Sequence, residues 1–290
     1  MVESQSDYPE FLYRYRSFDT EYAFEEIERA VNNRQVYLSI AAKLNDPFDF
    51  CPKYIGSEPK EVLAELRKKY GSNSVLSKAR ASEITGRKFT RTEFRPIARK
   101  LKPSPQHALT EIKTYKGMIS SLQGKAKLAC FSESGESIPM WAHYTRNHTG
   151  FCVRYRLDLT DPMDLDQPAP LKVSYNVDRP TLNTIELMKF TTRAKVGRDE
   201  QKIQDTVFDA MFLHKSAEWM YENEWRVFIH DHEGPRYKRI DRLAVDSITF
   251  GIRAASRNIE NVMNKFATRI KFRQAYASSS RFSLDYLDLN

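Results

Sequence analysis

The sequence predicts an α+β fold: a mixed, mainly antiparallel sheet, open to being split, with helices around it and a basic helical insertion. Three observations carry this. Stretches of alternating polarity recur along the chain. Single amphipathic stretches at helical spacing lie between them. No internal repeat or low-complexity tract appears. Strands separated by single short helices give a mixed sheet with helices packed on it. The 290 residues, 41% of them hydrophobic, can bury a sizeable core. They read as a single domain, 1–290, with the insertion at about 58–122.

Phe11 to Ser17 alternates aromatic and basic residues, so Tyr13 and Tyr15 share one face of a strand and Arg14 and Arg16 the other. Asp19 or Thr20 can cap a helix whose apolar stripe is Tyr22, Ala23, Ile27, Ala30 and Val31. Val36 to Ser39 reads as a short strand. Asn45-Asp46-Pro47-Phe48-Asp49 is a loop, because Asn and Asp favour turns and the residue before Pro avoids helix. A helix is expected over Ala108 to Ser121, then a buried strand over Lys127 to Glu133. Ser137 can cap a short helix with Pro139 just inside it. That helix carries Met140, Trp141, His143 and Tyr144. Strands follow at Phe151 to Arg156 and Leu171 to Asn176, then a helical region from about Thr181 to Met220. Glu222 to His230 is the clearest alternating strand, with Glu222, Glu224, Arg226 and Phe228 on one side. Val245 to Ile252 is a last strong strand, before a helix from about Ser256 to Thr268.

Charge and composition exclude several classes. The N-terminus has no basic start followed by an apolar stretch, so no secretory signal is expected. No apolar run reaches the eighteen or so residues of a membrane helix. Three widely spaced cysteines, Cys51, Cys130 and Cys152, form neither a disulfide framework nor a C-x-x-C site, which suits reduced thiols in the cytoplasm. The charge of +8 is concentrated: Arg67 to Lys102 holds twelve Lys or Arg against two acids. That local excess of ten could meet nucleic-acid phosphate, or could be a solvated helical surface. No Gly-rich phosphate loop, no nucleophile elbow and no metal-ligand spacing is present, so no metal site is expected.

Four segments, in order, resemble the bacterial domain-of-unknown-function 2971 family. They are Tyr13-Arg14-Tyr15-Arg16-Ser17; Leu44 to Asp49; Cys130-Phe131-Ser132 with Met140 to Tyr144 and His148 to Phe151; and Trp219 with Glu222-Asn223-Glu224-Trp225-Arg226. The family name supplies no activity. The layout is also similar to the split sheet of ADP-ribosyltransferases. That resemblance implies a basic residue on an early strand, a hydroxyl on a middle strand and a glutamate on a late one. Arg14 or Arg16, Ser132, and Glu222 or Glu224 stand in that order.

The chemistry implied is cleavage of the nicotinamide–ribose bond of NAD through an oxocarbenium-like state. A carboxylate stabilises that charge and holds a ribose hydroxyl, which assigns Glu224, Glu222 and Ser132 to catalysis. Arginine grips pyrophosphate, and aromatic residues stack the nicotinamide. NAD binding is thereby assigned to Tyr15, Arg14, Arg16, Asn45, Asp46, Trp141, Tyr144 and Arg226. The acceptor would be nucleic acid, brought by residues 67–102, or protein, as for a toxin or phage-defence effector. Two alternatives stay open: a nucleic-acid-binding protein or nuclease with Asp46, Asp49, Glu222 and Glu224 on magnesium, and a non-catalytic interaction module. A further alternative for Glu222, Glu224 and Arg226 is a solvent-facing salt-bridge ladder.

Overall fold

The computed structural model describes the chain except for residues 1–7, 21, 71–81, 83–85, 91, 95–102, 159–167, 192–197, 230–235, 267 and 290. In chain order the strands are β1 (Phe11–Arg16), β2 (Gln35–Tyr37), β3 (Ser39–Ile40), β4 (Lys53–Ile55), β5 (Lys127–Ser132), β6 (Phe151–Leu157), β7 (Leu171–Lys172) and β8 (Ser174–Asn176). They continue as β9 (Thr181–Asn183), β10 (His214–Ser216), β11 (Glu224–Ile229), β12 (Tyr237–Arg239), β13 (Leu243–Phe250), β14 (Lys271–Ala277) and β15 (Leu284–Asp288). The helices are α1 (Ala23–Asn33), α2 (Pro59–Tyr70), α3 (Pro105–Lys125), α4 (Ile138–Tyr144), α5 (Thr184–Phe190), α6 (Arg198–Phe212) and α7 (Ser256–Phe266). The chain divides into two compact units. One comprises Met1–Phe50, Gly124–Asp178 and Leu213–Asn290; the other comprises Cys51–Gln123 and Arg179–Phe212.

The first unit holds a nine-stranded sheet in the order β15-β14-β13-β6-β1-β5-β11-β7, with β3 also against β5. All its pairings are antiparallel except β13 with β14, so the sheet is mixed and mainly antiparallel, as the sequence predicts. The two edges of β1 differ. Against β6 it pairs over its full length, from Phe11–Arg156 to Arg16–Phe151. Against β5 the register comprises the single pair Tyr13–Ser132. From Ser132 the ladder continues into β11, where Glu224 is the direct partner.

Alternation gives this sheet two unlike faces. One buries Leu12, Phe131, Val153, Trp225, Val227, Ile248 and Phe250 with Ile27 and Ala30 of α1 and Val262 and Phe266 of α7. The other carries Tyr15 and Cys152 against Met140 and Trp141 of α4. The cap on α4 is the expected one: Ser137 Oγ accepts from the Met140 N–H. Of the expected α1 stripe, Ala23, Ile27 and Ala30 are buried and Val31 is half-buried, but Tyr22 precedes the helix and is exposed; the first turn is held by the Thr20 carbonyl rather than a side-chain cap.

Several sequence expectations are corrected. Leu171 to Asn176 is two strands: β7 joins β11, while β8 pairs in parallel with β10. The break is Val173, whose N–H bonds to the Glu224 carbonyl. The continuous helical region over Thr181 to Met220 is instead β9, α5, α6, β10 and a 3₁₀ turn, Ala217–Glu222. Asn183 starts α5 with a capping box to Glu186. β14 and β15 go beyond the strands expected. The three cysteines are free.

The second unit pairs β4 with β9 in parallel and contains α2, α5, α6 and most of α3. Val62, Leu66, Leu182, Leu187 and Val207 are buried there. The Tyr54 hydroxyl joins the Ile112 carbonyl (3.0 Å) and Thr184 Oγ1 (2.7 Å). Of the basic segment, Arg67, Lys68 and Lys69 form the last turn of α2, where the helix dipole favours cations. Arg87 and Lys88 are exposed. The other seven basic residues of that segment lie outside the described residues. Among the described residues no helix is long and apolar enough to cross a membrane.

Candidate active site

Past the single Tyr13–Ser132 pair, β1 and β5 enclose a cavity of about 110 Å3. β1 lines it with Tyr13 to Arg16 and β5 with Cys130 to Ser132. The loop after β3 adds Asn45 and Asp49, α4 adds Met140 and Tyr144, and Lys215, Glu222 and Glu224 complete the wall. Gly135 leaves room for one wall: a Cβ there would lie 2.6 Å from the Tyr13 ring.

Below the cavity lies an ionic cluster in which three carboxylates meet two cations. Arg226 Nη2 donates to both oxygens of Asp49, at 2.7 and 3.0 Å. Its Nε and Nη2 also donate to Glu224, at 2.8 and 3.0 Å, and its guanidinium lies 4.9 Å from the Phe50 ring centroid. Lys215 Nζ donates to Glu222 Oε2 (2.5 Å) and Glu224 Oε2 (3.1 Å), with Asp49 Oδ2 at 3.9 Å. The Tyr144 hydroxyl donates to Glu222 Oε1 at 2.5 Å and accepts from Asn45 Nδ2 at 2.9 Å. Glu222, Glu224, Arg226, Asp49 and Lys215 are all buried, which overturns the solvent-facing ladder.

Electrostatics separates these carboxylates. Burial would push Glu224 up, but Arg226 and then Lys215 overcome it and hold its pKa at about 2. Burial raises Glu222, and Lys215 only partly offsets that. Asp49 is raised by burial too, with Arg226 opposing and Glu224 adding to the rise. Burial disfavours the Lys215 cation, yet Glu224 and Glu222 more than compensate and raise it. Burial, then Glu222, keeps Tyr144 protonated.

The two glutamates are placed differently from expectation. Glu224 opens β11, whereas Glu222 ends the 3₁₀ turn. Between them Asn223 is left-handed (φ 43°, ψ 55°), which breaks the strand period. Both side chains nevertheless converge on Lys215.

Of the residues singled out from sequence, Tyr15, Arg14, Arg16, Asn45, Ser132, Tyr144, Glu222 and Glu224 line the one cavity. Three do not. Trp141 is fully buried, edge-on to Tyr15 at 5.3 Å, with Nε1 donating to the Gly135 carbonyl. Asp46 is a buried turn residue whose Oδ1 accepts from the Phe48 N–H. Arg226 lies in the ionic cluster. Ser132 Oγ donates to the Glu222 carbonyl at 2.6 Å and so fixes the turn that presents Glu222. Lys215 was missed: a lone lysine at the end of a helical pattern carries no motif.

The two arginines share Glu26, whose Oε1 lies 3.8 Å from Arg14 Nε. Arg16 Nε bonds to Glu26 at 2.7 Å. Arg14 is buried, with Nη2 on the Tyr37 carbonyl at 2.7 Å, while its buried Nη1 has no hydrogen-bond partner. Burial, followed by Arg16, disfavours the Arg14 cation.

Acidic and basic side chains thus meet around one cavity in the sheet of an α+β scaffold, a candidate site for a polar ligand. Residues 140–227 match the family model described as protein of unknown function (DUF2971), a segment that includes Tyr144, Lys215, Glu222, Glu224 and Arg226. No curated protein and no solved structure gives a match. The magnesium alternative is not supported by the geometry. Asp49, Glu222 and Glu224 converge on Lys215 and Arg226, and among the described residues no group of three His, Cys, Asp or Glu side chains is placed to hold a metal.

Proposed function

We propose that the cavity between β1 and β5 is the site of an ADP-ribosyltransferase-like reaction with NAD as substrate. The observation that carries this reading is Arg14: a buried guanidinium at the cavity with an unmet donor, on the strand paired at Tyr13–Ser132, one ladder step from Glu224. An arginine keeps its charge when buried, so an unmet donor is satisfied best by an anion such as a phosphate. The glutamates supply the opposite end, suited to a ribose hydroxyl and to positive charge developing at the anomeric carbon. Tyr13, Tyr15 and Tyr144 give that space aromatic walls.

The bond from the anomeric carbon to nicotinamide breaks with its electron pair going to the nicotinamide nitrogen. The acceptor's lone pair forms the new bond, and its proton passes to a carboxylate or to water. A cavity of about 110 Å3 takes one ring or one sugar, well below the roughly 300–1,000 Å3 of a pocket enclosing a whole ligand. The rest of a dinucleotide would lie outside it. The acceptor is nucleic acid or protein.

Two measurements test this. NAD should stabilise the protein against heat, by about 2.7 kcal/mol at a hundred times Kd, because it binds only the native state. Glu222→Gln should reduce nicotinamide release by roughly 100- to 1,000-fold while leaving the circular dichroism spectrum unchanged. No stabilisation at millimolar NAD and no nicotinamide release would sink the proposal.

A further inference from the structure

Among the described residues, Lys215 is the one cation in contact with Glu222. Arg226 is occupied by Asp49 and Glu224. The other groups facing the Lys215–Glu222 pair are the carboxylates of Asp49 and Glu224, the hydroxyls of Tyr144, Tyr175 and Tyr221, and the Cys130 thiol beside Glu224. The Trp219 ring covers Lys215 Nζ at 5.0 Å and supplies no countercharge.

The lone pairs are unevenly used. An ionised carboxylate has about four acceptor sites. Glu224 accepts Arg226 twice and Lys215 once, so three of its sites are filled. Among the described residues Glu222 accepts only from Tyr144 and Lys215, and it lines the cavity. Two of its acceptor sites are therefore available to a ligand.

We propose that Lys215 is the positioning residue of this site: its ammonium keeps Glu222 ionised, with two acceptor positions open to the cavity, while Glu224 serves as the fixed anchor. The proposal deepens the ADP-ribosyltransferase-like reading and rests on it for the identity of the ligand. Its electrostatic content stands apart from that. Without Lys215, Glu222 would be a buried acid beside Glu224 with no cation in contact, and it would bind a proton in preference to staying charged. A protonated Glu222 can neither accept a ribose hydroxyl nor face an oxocarbenium charge.

The test is a carbon-13 titration of the glutamate carboxyls in wild type, Lys215→Met and Lys215→Arg, with Glu222→Gln assigning the resonance. The expected result is a Glu222 midpoint moved up by about 1–3 pH units in Lys215→Met, the shift an adjacent opposite charge imposes, and returned in Lys215→Arg. The acid limb of the nicotinamide-release profile should move by the same amount. Activity lost equally at every pH, with an unmoved Glu222 midpoint, would leave Lys215 a structural residue and overturn the proposal. Should Lys215→Met not fold, the reciprocal measurement decides, since the coupling is mutual. The nitrogen-15 titration of Lys215 should then shift downward in Glu222→Gln, and an unshifted lysine would overturn the proposal. Both titrations need no NAD, so a protein that never releases nicotinamide loses the function reading alone.

Discussion

The two faces of the large sheet bury their side chains in opposite ways. On the face covered by α1 and α7, Leu12, Val153, Ile248 and Phe250 pack together, and the one buried charge described on β1, Arg14, lies with its guanidinium 5.6 Å from the Phe131 ring centroid. On the other face, Glu224 and Arg226 alternate along β11 with Trp225 and Val227 of the first face. The comparison teaches where the site can be. Apolar packing tolerates only small displacement and offers a ligand nothing polar. Buried ions must be paired in full, and wherever pairing stops short an acceptor or donor is left for a ligand. In this sheet it stops at Arg14 Nη1 and on Glu222, and both residues belong to the lining of one cavity.

Breaking the ionic face should have the largest effect. Arg226→Met removes the cation shared by Asp49 and Glu224 and should cost about 3–5 kcal/mol, read from urea unfolding at pH 7, because it leaves buried carboxylates unpaired. A loss below about 1 kcal/mol would show the cluster to be solvated in solution, close to a surface ion pair.

Acid sharpens the contrast. The folded-state pKa of Glu224 is depressed to about 2, so its contribution is present in full above its unfolded value near 4.5 and is lost as pH falls through about 2. That contribution is about 3 kcal/mol at neutral pH on the linkage relation. Glu222 and Asp49, whose values are raised, run the other way and lower stability as pH rises above their unfolded values. The stability difference between wild type and Glu224→Gln should therefore shrink between pH 4.5 and 2. A difference constant over that range would contradict the depressed value.

The smallest effect belongs to the apolar face. Ile248→Val should cost about 0.5–1.5 kcal/mol, the usual range for one buried methylene. Its unfolding should show the same loss at pH 4 and pH 7, since no titratable group is touched. A pH-dependent loss would mean the two faces are coupled.

Much of this was legible in the sequence because the relevant periods are local. The alternation of β1 and β11, the Ser137 cap and the loop at Asn45 to Asp49 follow from neighbouring residues alone. Tyr15, Ser132, Tyr144 and Glu224 could be gathered into one candidate site because each stands out against a purely apolar strand or helix. What was not legible depends on contacts across the chain. Glu222 reads as a strand residue until the left-handed Asn223 is known. Lys215 has no local signal at all; its role comes from Glu222 and Glu224, brought back to it by the 3₁₀ turn, and from the distant Asp49. Trp141 is assigned to nicotinamide stacking by the resemblance alone, whereas its helical spacing with Tyr144 suits a core aromatic, and its burial and T-shaped contact with Tyr15 place it in the core. β14 shows incomplete alternation, with Arg273 and Gln274 both half-buried, so its period gives no strand signal.

The bend at Asn223 also says what spelling this site requires. Two acids with one residue between them fall on the same side of any ordinary strand, so the pattern Glu-x-Glu is common and uninformative. Here the middle residue adopts φ 43°, a conformation open to glycine and, at modest strain, to asparagine or aspartate, but poorly to a β-branched side chain. A chain that shares only the two glutamates has half of the signature. One that also keeps a small or amide residue between them, and a lysine several positions upstream, has the grammar that turns two adjacent acids into an anchor and an acceptor.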